Sequence, residues 1–268
     1  MIYHEGERAI HRRLGVGEAA SALGGRVRDS LPAGPQLLLT TLPMIIIGAS
    51  DADGRCWTSP LFGRPGFIRA SPGSVRSLEL PPPDDPIGPR RRGDALGMLA
   101  IDLNRALRYR INGRVLRWGP RLIEVKVREA YGNCPSYIQP ADIQALAYSE
   151  SIRSAGRLSS AQMAHIGRSN RMFVTTCHPT AGADVSHKGG PPGFVEVMSP
   201  DRLRFRDLPG NNMFNTLGNL LTNPSIGLLF QDFDRHTSLQ ITGIAQIIWD
   251  GDDRDVEIAI SETVCRGF

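Results

Sequence analysis

Val185-Ser186-His187-Lys188-Gly189-Gly190-Pro191-Pro192-Gly193-Phe194-Val195, set against Thr58-Ser59-Pro60-Leu61-Phe62-Gly63-Arg64-Pro65-Gly66-Phe67-Ile68, decides how the chain is read. The two stretches share a serine, a glycine and Pro-Gly-Phe at one constant offset, as two copies of one strand-turn-strand unit would. Working outward, Ile111-Asn112-Gly113 matches Ile241-Thr242-Gly243, with Trp118 and Trp249 closing the two strands, and Thr40-Thr41 is set against Thr175-Thr176. Matches in the same order along the chain predict a tandem duplication.

Each copy carries the grammar of short strands. Asp51-Ala52-Asp53-Gly54 has the turn chemistry of a hairpin, with Arg55 to Leu61 as the returning strand. Strands are also predicted over Ala95 to Leu103, Leu107 to Leu116 and Arg121 to Arg128, giving a first half of about six. Gln36 to Ser50, apolar and split by Pro43, reads as buried strand or strand plus bend. Helical spacing is confined to Glu5 to Ser30 and to Pro140 to Ser169, where Ile143, Leu146 and Ala147 precede Met163 and Ile166. Ser159, with Gln162 three residues on, can cap a helix. In the second half Ile226 to Asp232 and Leu239 to Trp249 read as strands. Only a short tail, Ile260 to Phe268, remains to finish that half. The expected layout is a first module over 1–140 with leading helices, a helical connector over 141–170 and a second module over 171–268.

Composition narrows the class without choosing a function. With 268 residues, 41% hydrophobic and 22% charged, the chain is ordinary for a globular protein, and 29 Gly with 20 Pro favour turns over long helices. No apolar run is long enough to cross a bilayer, and residues 1–13 show no secretory signal, so a cytoplasmic protein is expected, with no membrane partner. Cys56, Cys134, Cys177 and Cys265 are too dispersed for a zinc or disulfide pattern, and no metal is expected. A net charge of +4, its basic run Arg90-Arg91-Arg92 lacking interleaved aromatics, argues against a nucleic-acid partner. Hydrolase-elbow, zincin, P-loop and dinucleotide-fold motifs are absent, so catalytic residues stay unassigned.

Two clusters carry chemistry. Ser186, His187 and Lys188 lead into Gly189-Gly190, where a hydroxyl, an imidazole and an ammonium precede bare backbone amides able to approach a phosphate. His187 has no carboxylate near it in sequence to make it a general acid or base. In Gly210 to Pro224, a short helix places Asn212, Asn215, Thr216 and Asn219 near one polar face. Asn is a poor helix former, so that density, with Asn211 beside it, points to a ligand held by amides. Phe230 and Phe233 read first as core.

Ser186 to Phe194, Gly210 to Pro224, Gly227 to Phe230 and Thr242 to Ala245 together resemble the pyridoxamine 5'-phosphate oxidase-like family of FMN-binding split barrels. Arg110-Ile111-Asn112-Gly113 and the Tyr131 to Gln139 segment resemble the leading half of its duplicated members. The resemblance implies a mainly β protein: two tandem six-stranded split barrels with flanking helices, forming within one chain the dimer that single-barrel relatives form from two, with a further homodimer open. It implies FMN, with F420 or haem as other ligands of the fold. The cofactor-binding residues it implies are Ser186, His187, Lys188, Asn211, Asn212, Thr216 and Asn219, with segment 131–137 covering them from the other barrel. The expected activity is that of a flavin-dependent oxidoreductase of unknown substrate, using NAD(P)H or a small molecule as partner. A flavin store or sensor, or an interaction domain on a degenerate barrel, are the alternatives. The first copy departs from the pattern. Leu61 stands for Lys188, and Asp84 and Asp85 stand where the Gly-Asn-Asn segment falls, so their charge should repel a phosphate and leave one site rather than two.

Overall fold

The computed structural model describes residues 2–143 and 150–267. Leu146 and Ala147, part of the predicted connector helix, lie outside them. Two sheets dominate. In the first copy, β1 (Met44–Ser50), β2 (Cys56–Phe62), β3 (Ile68–Ser71), β4 (Ser74–Ser77), β5 (Ala95–Asp102), β6 (Leu107–Gly119) and β7 (Leu122–Gly132) pair in the order β2-β1-β5-β6-β7-β4-β3. After β8 (Ser151–Ala155), the strands β9 (Arg171–His178), β10 (Gly182–Gly189), β11 (Val195–Ser199), β12 (Arg202–Arg206), β13 (Ser225–Asp232), β14 (Thr237–Asp250) and β15 (Asp253–Arg266) repeat that order as β10-β9-β13-β14-β15-β12-β11, and β8 adds to β15. Each copy therefore has seven strands where six were expected; β4 was not read from the sequence, nor were its counterpart β12 and the last strand β15. The chain is mainly β, built as two tandem split barrels.

Strand registers fix the correspondence between copies. Gly63 N–H bonds Pro43 O at 3.0 Å and Gly190 N–H bonds Asn170 O at 3.1 Å, which sets residues 58–68 against 185–195 as the sequence proposed. Both long hairpins carry a bulge at the same step, between Asn112 and Gly113 and between Thr242 and Gly243, confirming that match too. Thr40-Thr41 is a different case. They end helix α3 (Ala33–Thr41), and the residues in register with Thr175-Thr176 are Gly48-Ala49. Helix α3 also corrects the strand expected from Gln36. A Leu- and Thr-rich run fits either state, and Pro35 sits in the first helical turn, where a missing N–H is tolerated. Its counterpart α4 (Ser160–Arg168) has the predicted box, Ser159 Oγ accepting from Gln162 N–H at 3.2 Å and Gln162 Oε1 from Ser159 N–H at 2.8 Å. The expected helical connector thus contributes one strand and one helix. The C-terminal tail, expected to leave little for a strand, completes β15, which pairs with β14, β12 and β8.

The modules meet face to face. Met44, Ile46, Phe62, Leu99 and Ile101 from one copy and Phe173, Val185 and Leu229 from the other form a common core, and Thr58 Oγ1 lies 2.7 Å from Thr175 Oγ1. Gly97 on β5 and Gly227 on β13, equivalent by register, explain how close the sheets come. A Cβ on Gly97 would lie 2.7 Å from Ala183 O, and one on Gly227 would lie 2.7 Å from Cys56 O. Those carbonyls are themselves equivalent, so the chain folds back on itself with a pseudo-twofold axis, as an isologous dimer would.

At the N-terminus α1 (Glu5–Arg13) is capped by a box between His4 and Glu7 and packs on α5 (Asn215–Thr222), with α2 (Gly17–Gly24) following. Phe230 is fully buried and Phe233 nearly so, both as core. Among the described residues no helix is long and apolar enough to cross a membrane.

Candidate functional site

A cleft of about 110 Å³ opens where β10 of the second module meets β6 of the first. From the second module it is lined by Ser186, His187 and Lys188 with Asn211, Asn212, Asn215 and Thr216. From the first come Arg108, Arg110 and the segment Asn133, Cys134, Ser136, Tyr137. Of the seven residues read from the sequence as cofactor contacts, six line it. The exception is Asn219, which is fully buried behind the cleft. Its amide donates to Thr176 Oγ1 at 3.0 Å and Asp184 Oδ2 at 2.9 Å, and its oxygen faces His4 Nε2 at 2.9 Å. Its hydrogen-bonding capacity is used in joining α5 to β9, β10 and the N-terminus. Asn212 also differs from expectation, since it precedes α5 in left-handed conformation at φ 55° rather than sharing the helix face.

Arg108 and Arg110 were missed as site residues. Strand periodicity carries the signal, because Arg108, Arg110 and Asn112 alternate on one face of β6, the face turned to the other module. Arg110 is the hub. Its Nε donates to Val185 O at 2.9 Å, Nη2 to Ser186 Oγ at 2.5 Å, and Nη1 to Tyr131 Oη at 2.9 Å and Asn215 Oδ1 at 2.7 Å. Asp184 lies 3.4 Å from the same Nη1. Burial opposes this cation, but Tyr131 and Asp184 outweigh it, and the guanidinium pKa rises. Ser186 Oγ is held in turn 3.2 Å from Thr216 Oγ1.

Lys188 is not an unshared charge. Its Nζ lies 2.5 Å from Asp207 Oδ1, and Asp207 Oδ2 accepts from Arg254 Nε at 3.0 Å. His187 is buried, and burial with the nearby charges of Arg108, Arg171 and Lys188 pulls its imidazole down to about 3, so it is neutral at ordinary pH. Arg108, a donor only, places Nη1 3.2 Å from His187 Nδ1, so that nitrogen accepts and the ring proton sits on Nε2. Burial and the charge of Arg110 lower Arg108 itself to about 10.

The polar inventory of this cleft is unbalanced in one direction. Arg108 Nε, His187 Nε2 and Asn133 Nδ2 are buried without a hydrogen-bond partner among the described residues. Asn133 Oδ1 already accepts from Asn211 Nδ2 at 2.9 Å, so all three orphans are donors. Buried donors left unmatched are costly, by about 1–3 kcal/mol each. Together they ask for an acceptor-rich group, and Arg108, Arg110, Lys188 and Arg206 outnumber the one carboxylate of the lining, Asp207, which pairs with Lys188.

Beneath the cleft lie further carboxylates. Glu7 Oε2 accepts from His4 N–H at 3.0 Å and Oε1 from Asn215 Nδ2 at 2.5 Å. Burial, then the charge of Asp184, pushes Glu7 up to about 8. The folded chain therefore holds a proton that the unfolded chain releases above about 4.5, and stability falls as pH rises from there to about 8. Glu7→Gln should flatten the fall, measured as the melting midpoint at intervals from pH 6.5 to 8. An unchanged slope in that variant would remove Glu7 as its source.

No metal was expected from the sequence. The structure does gather ligand atoms of His4, Glu5 and His178 within 4.8 Å of one another. Their hydrogen bonds already occupy them: His178 Nδ1 accepts from Thr180 and Ala181 N–H while Nε2 meets Glu5 at 3.0 Å, and His4 Nε2 meets Asn219.

A split-barrel module, duplicated so that a cationic cleft forms between its copies, is the class that this fold and site define. Residues 158–261 match the family model described as Pyridoxamine 5'-phosphate oxidase, and the second module belongs to a pyridoxamine 5'-phosphate oxidase-like family. No curated protein matches the chain. Among solved structures, an FAD-binding protein from Mesorhizobium loti is 11% identical over 43% of this chain and 97% of its own, with a TM-score of 0.31. A Clostridium acetobutylicum protein related to general stress protein 26, of the pyridoxinephosphate oxidase family, is 13% identical over 38% of this chain and 78% of its own, with a TM-score of 0.27. A protein named F420 reductase is 13% identical over 40% of this chain and 98% of its own, with a TM-score of 0.32.

Proposed function

We propose that this chain binds FMN in the cleft between its modules and serves as a flavin-dependent oxidoreductase. The observation that carries the reading is the set of three buried, unmatched donors, Arg108 Nε, His187 Nε2 and Asn133 Nδ2, on residues of a cleft that Arg108, Arg110, Lys188 and Arg206 line with a single carboxylate, Asp207. A phosphate offers acceptors on every side and two negative charges, which suits this donor set. Family membership of the second module supports the same ligand, whereas the Gly190 amide expected to approach a phosphate is already bonded to Asn170 O at 3.1 Å. In this reading Arg108, Ser186, His187 and Lys188 grip the phosphate, and Asn211, Asn212 and Thr216 lie along its polyol. Asn219 positions α5 instead. Arg110 orients Ser186, and residues 133–137 of the first module shield the ligand from water. When bound, FMN supplies the hydride and electron transfer, so the chain needs only to hold and orient it.

The test begins with the visible spectrum of the purified protein and a titration with FMN. A colourless protein that takes up no added FMN would overturn the proposal. Arg108→Ala should weaken FMN by roughly 10- to 100-fold, the loss of a charge-assisted hydrogen bond worth about 1.5–3 kcal/mol. Lys188→Ala should have a smaller effect, near the low end of that range, because Lys188 must give up Asp207 to reach a ligand. Reduction of the bound flavin by NADH or NADPH then separates an oxidoreductase from a flavin carrier.

A further inference from the structure

The axis that sets Arg110 against Val185 and Ser186 sets an equivalent residue at the mirror position, and there the chain supplies its own carboxyl group. Gln240 lies two residues before the β14 bulge, as Arg110 lies two before the β6 bulge, so the two side chains are equivalent. Their contacts are equivalent as well. Gln240 Nε2 donates to Thr58 O at 3.0 Å and Ser59 Oγ at 2.7 Å, where Arg110 donates to Val185 O and Ser186 Oγ. Where Asn215 and Thr216 of the second module meet Arg110 and Ser186, the carboxyl group of Asp85 meets Gln240 and Ser59. Asp85 Oδ1 accepts from Ser59 Oγ at 2.7 Å and Ile87 N–H at 2.9 Å, and Oδ2 accepts from Gln240 Nε2 at 3.3 Å. Ser59, Asp85 and Gln240 are all buried, with Asp85 5% exposed. The loop that delivers it is pinned by its neighbour, since Asp84 is bonded to Arg266 Nη2 at 2.8 Å and to Ser151 Oγ at 2.6 Å.

We propose that Ser59, Gln240 and the Ile87 amide form a second anion site, of the class that takes a small carboxylate, and that the Asp85 carboxylate is its built-in ligand. The acidic pair in the first copy is thus turned inward, Asp85 onto Ser59 and Gln240 and Asp84 onto Ser151 and Arg266, rather than facing an incoming anion as a repelling charge. The arrangement does not depend on what the first cleft binds.

Chemical rescue tests it. Asp85→Gly removes the carboxylate and leaves its donors without an acceptor, so the variant should melt below the wild type. Sodium formate returns the missing group. At about ten times its dissociation constant it should raise the midpoint of Asp85→Gly by roughly 3–6 °C beyond any rise in the wild type, with sodium chloride as the ionic-strength control. Asp85→Asn, which keeps the space filled but turns an amide donor toward other donors, should be destabilised and gain nothing from formate. Adding Gln240→Leu to Asp85→Gly should abolish the rescue. If Asp85→Gly does not fold, Asp85→Ser, which also leaves room for formate, takes its place. A formate response no greater than that of the wild type, or an Asp85→Gly chain as stable as the wild type without formate, would overturn the proposal. Because the readout contains no flavin, a failure to bind FMN would leave this result unaffected.

Discussion

Arg110→Ala should lower the stability of the chain by about 3–5 kcal/mol, the range for removing one partner from a buried charged network. The guanidinium is only 7% exposed and sits among Asp184, Asn215, Tyr131 and Ser186, with Glu129 close behind. Deleting it leaves those carboxylates without their central cation and leaves the carbonyl of Val185 without its donor. Arg110→Lys keeps the charge but has no planar fork to reach Val185, Ser186 and Asn215 at once, so it should recover only part of the loss. Urea unfolding of the three proteins checks this. Equal midpoints for Arg110→Ala and the wild type would mean that the network does not hold the modules together.

The second large effect is steric. Gly227→Ala places a methyl 2.7 Å from Cys56 O and 2.8 Å from Trp57 Cα, and Gly97→Ala places one 2.7 Å from Ala183 O. The obstacles are backbone, which cannot turn aside as a flexible side chain would. Each substitution should cost about 1–3 kcal/mol by forcing the sheets apart. Both act on the one interface through symmetric contacts, so the double variant should depart from additivity. Gly73→Ala, at a position with nothing within 4 Å, is the control and should be nearly neutral. Thermal denaturation that ranked Gly73→Ala beside the other two would contradict the close face-to-face packing.

The duplication and the closing turns were legible because they are local. Asp51 to Gly54, the Pro-Gly-Phe turns and the Ser159–Gln162 box each depend on residues a few positions apart, and local sterics and hydrogen bonds decide them. The run from Gln36 was ambiguous for the same reason, since Leu and Thr without polar alternation suit a helix or a buried strand, and packing chose α3.

The site was legible by halves. Ser186, His187 and Lys188 could be found in the sequence because a glycine turn and a basic residue announce an anion. For Arg108 and Arg110, which meet them from 75 to 79 positions away, strand periodicity gives the shared face but not the partner, because that meeting requires the two sheets to dock. Asn219 was drawn to the site by its neighbours, yet the turn of α5 carries it behind the cleft into a filled network.

By itself, then, the sequence determined a repeated module, its turns and one polar strand tip. One site rather than two was already expected from Leu61 and the acidic pair; what needed the tertiary structure was that Arg108 and Arg110 reach the second-module site and that Asp85 turns inward onto Ser59 and Gln240. The physical reason is that a strand sets which face a side chain takes, whereas the charge it meets there depends on the partner sheet.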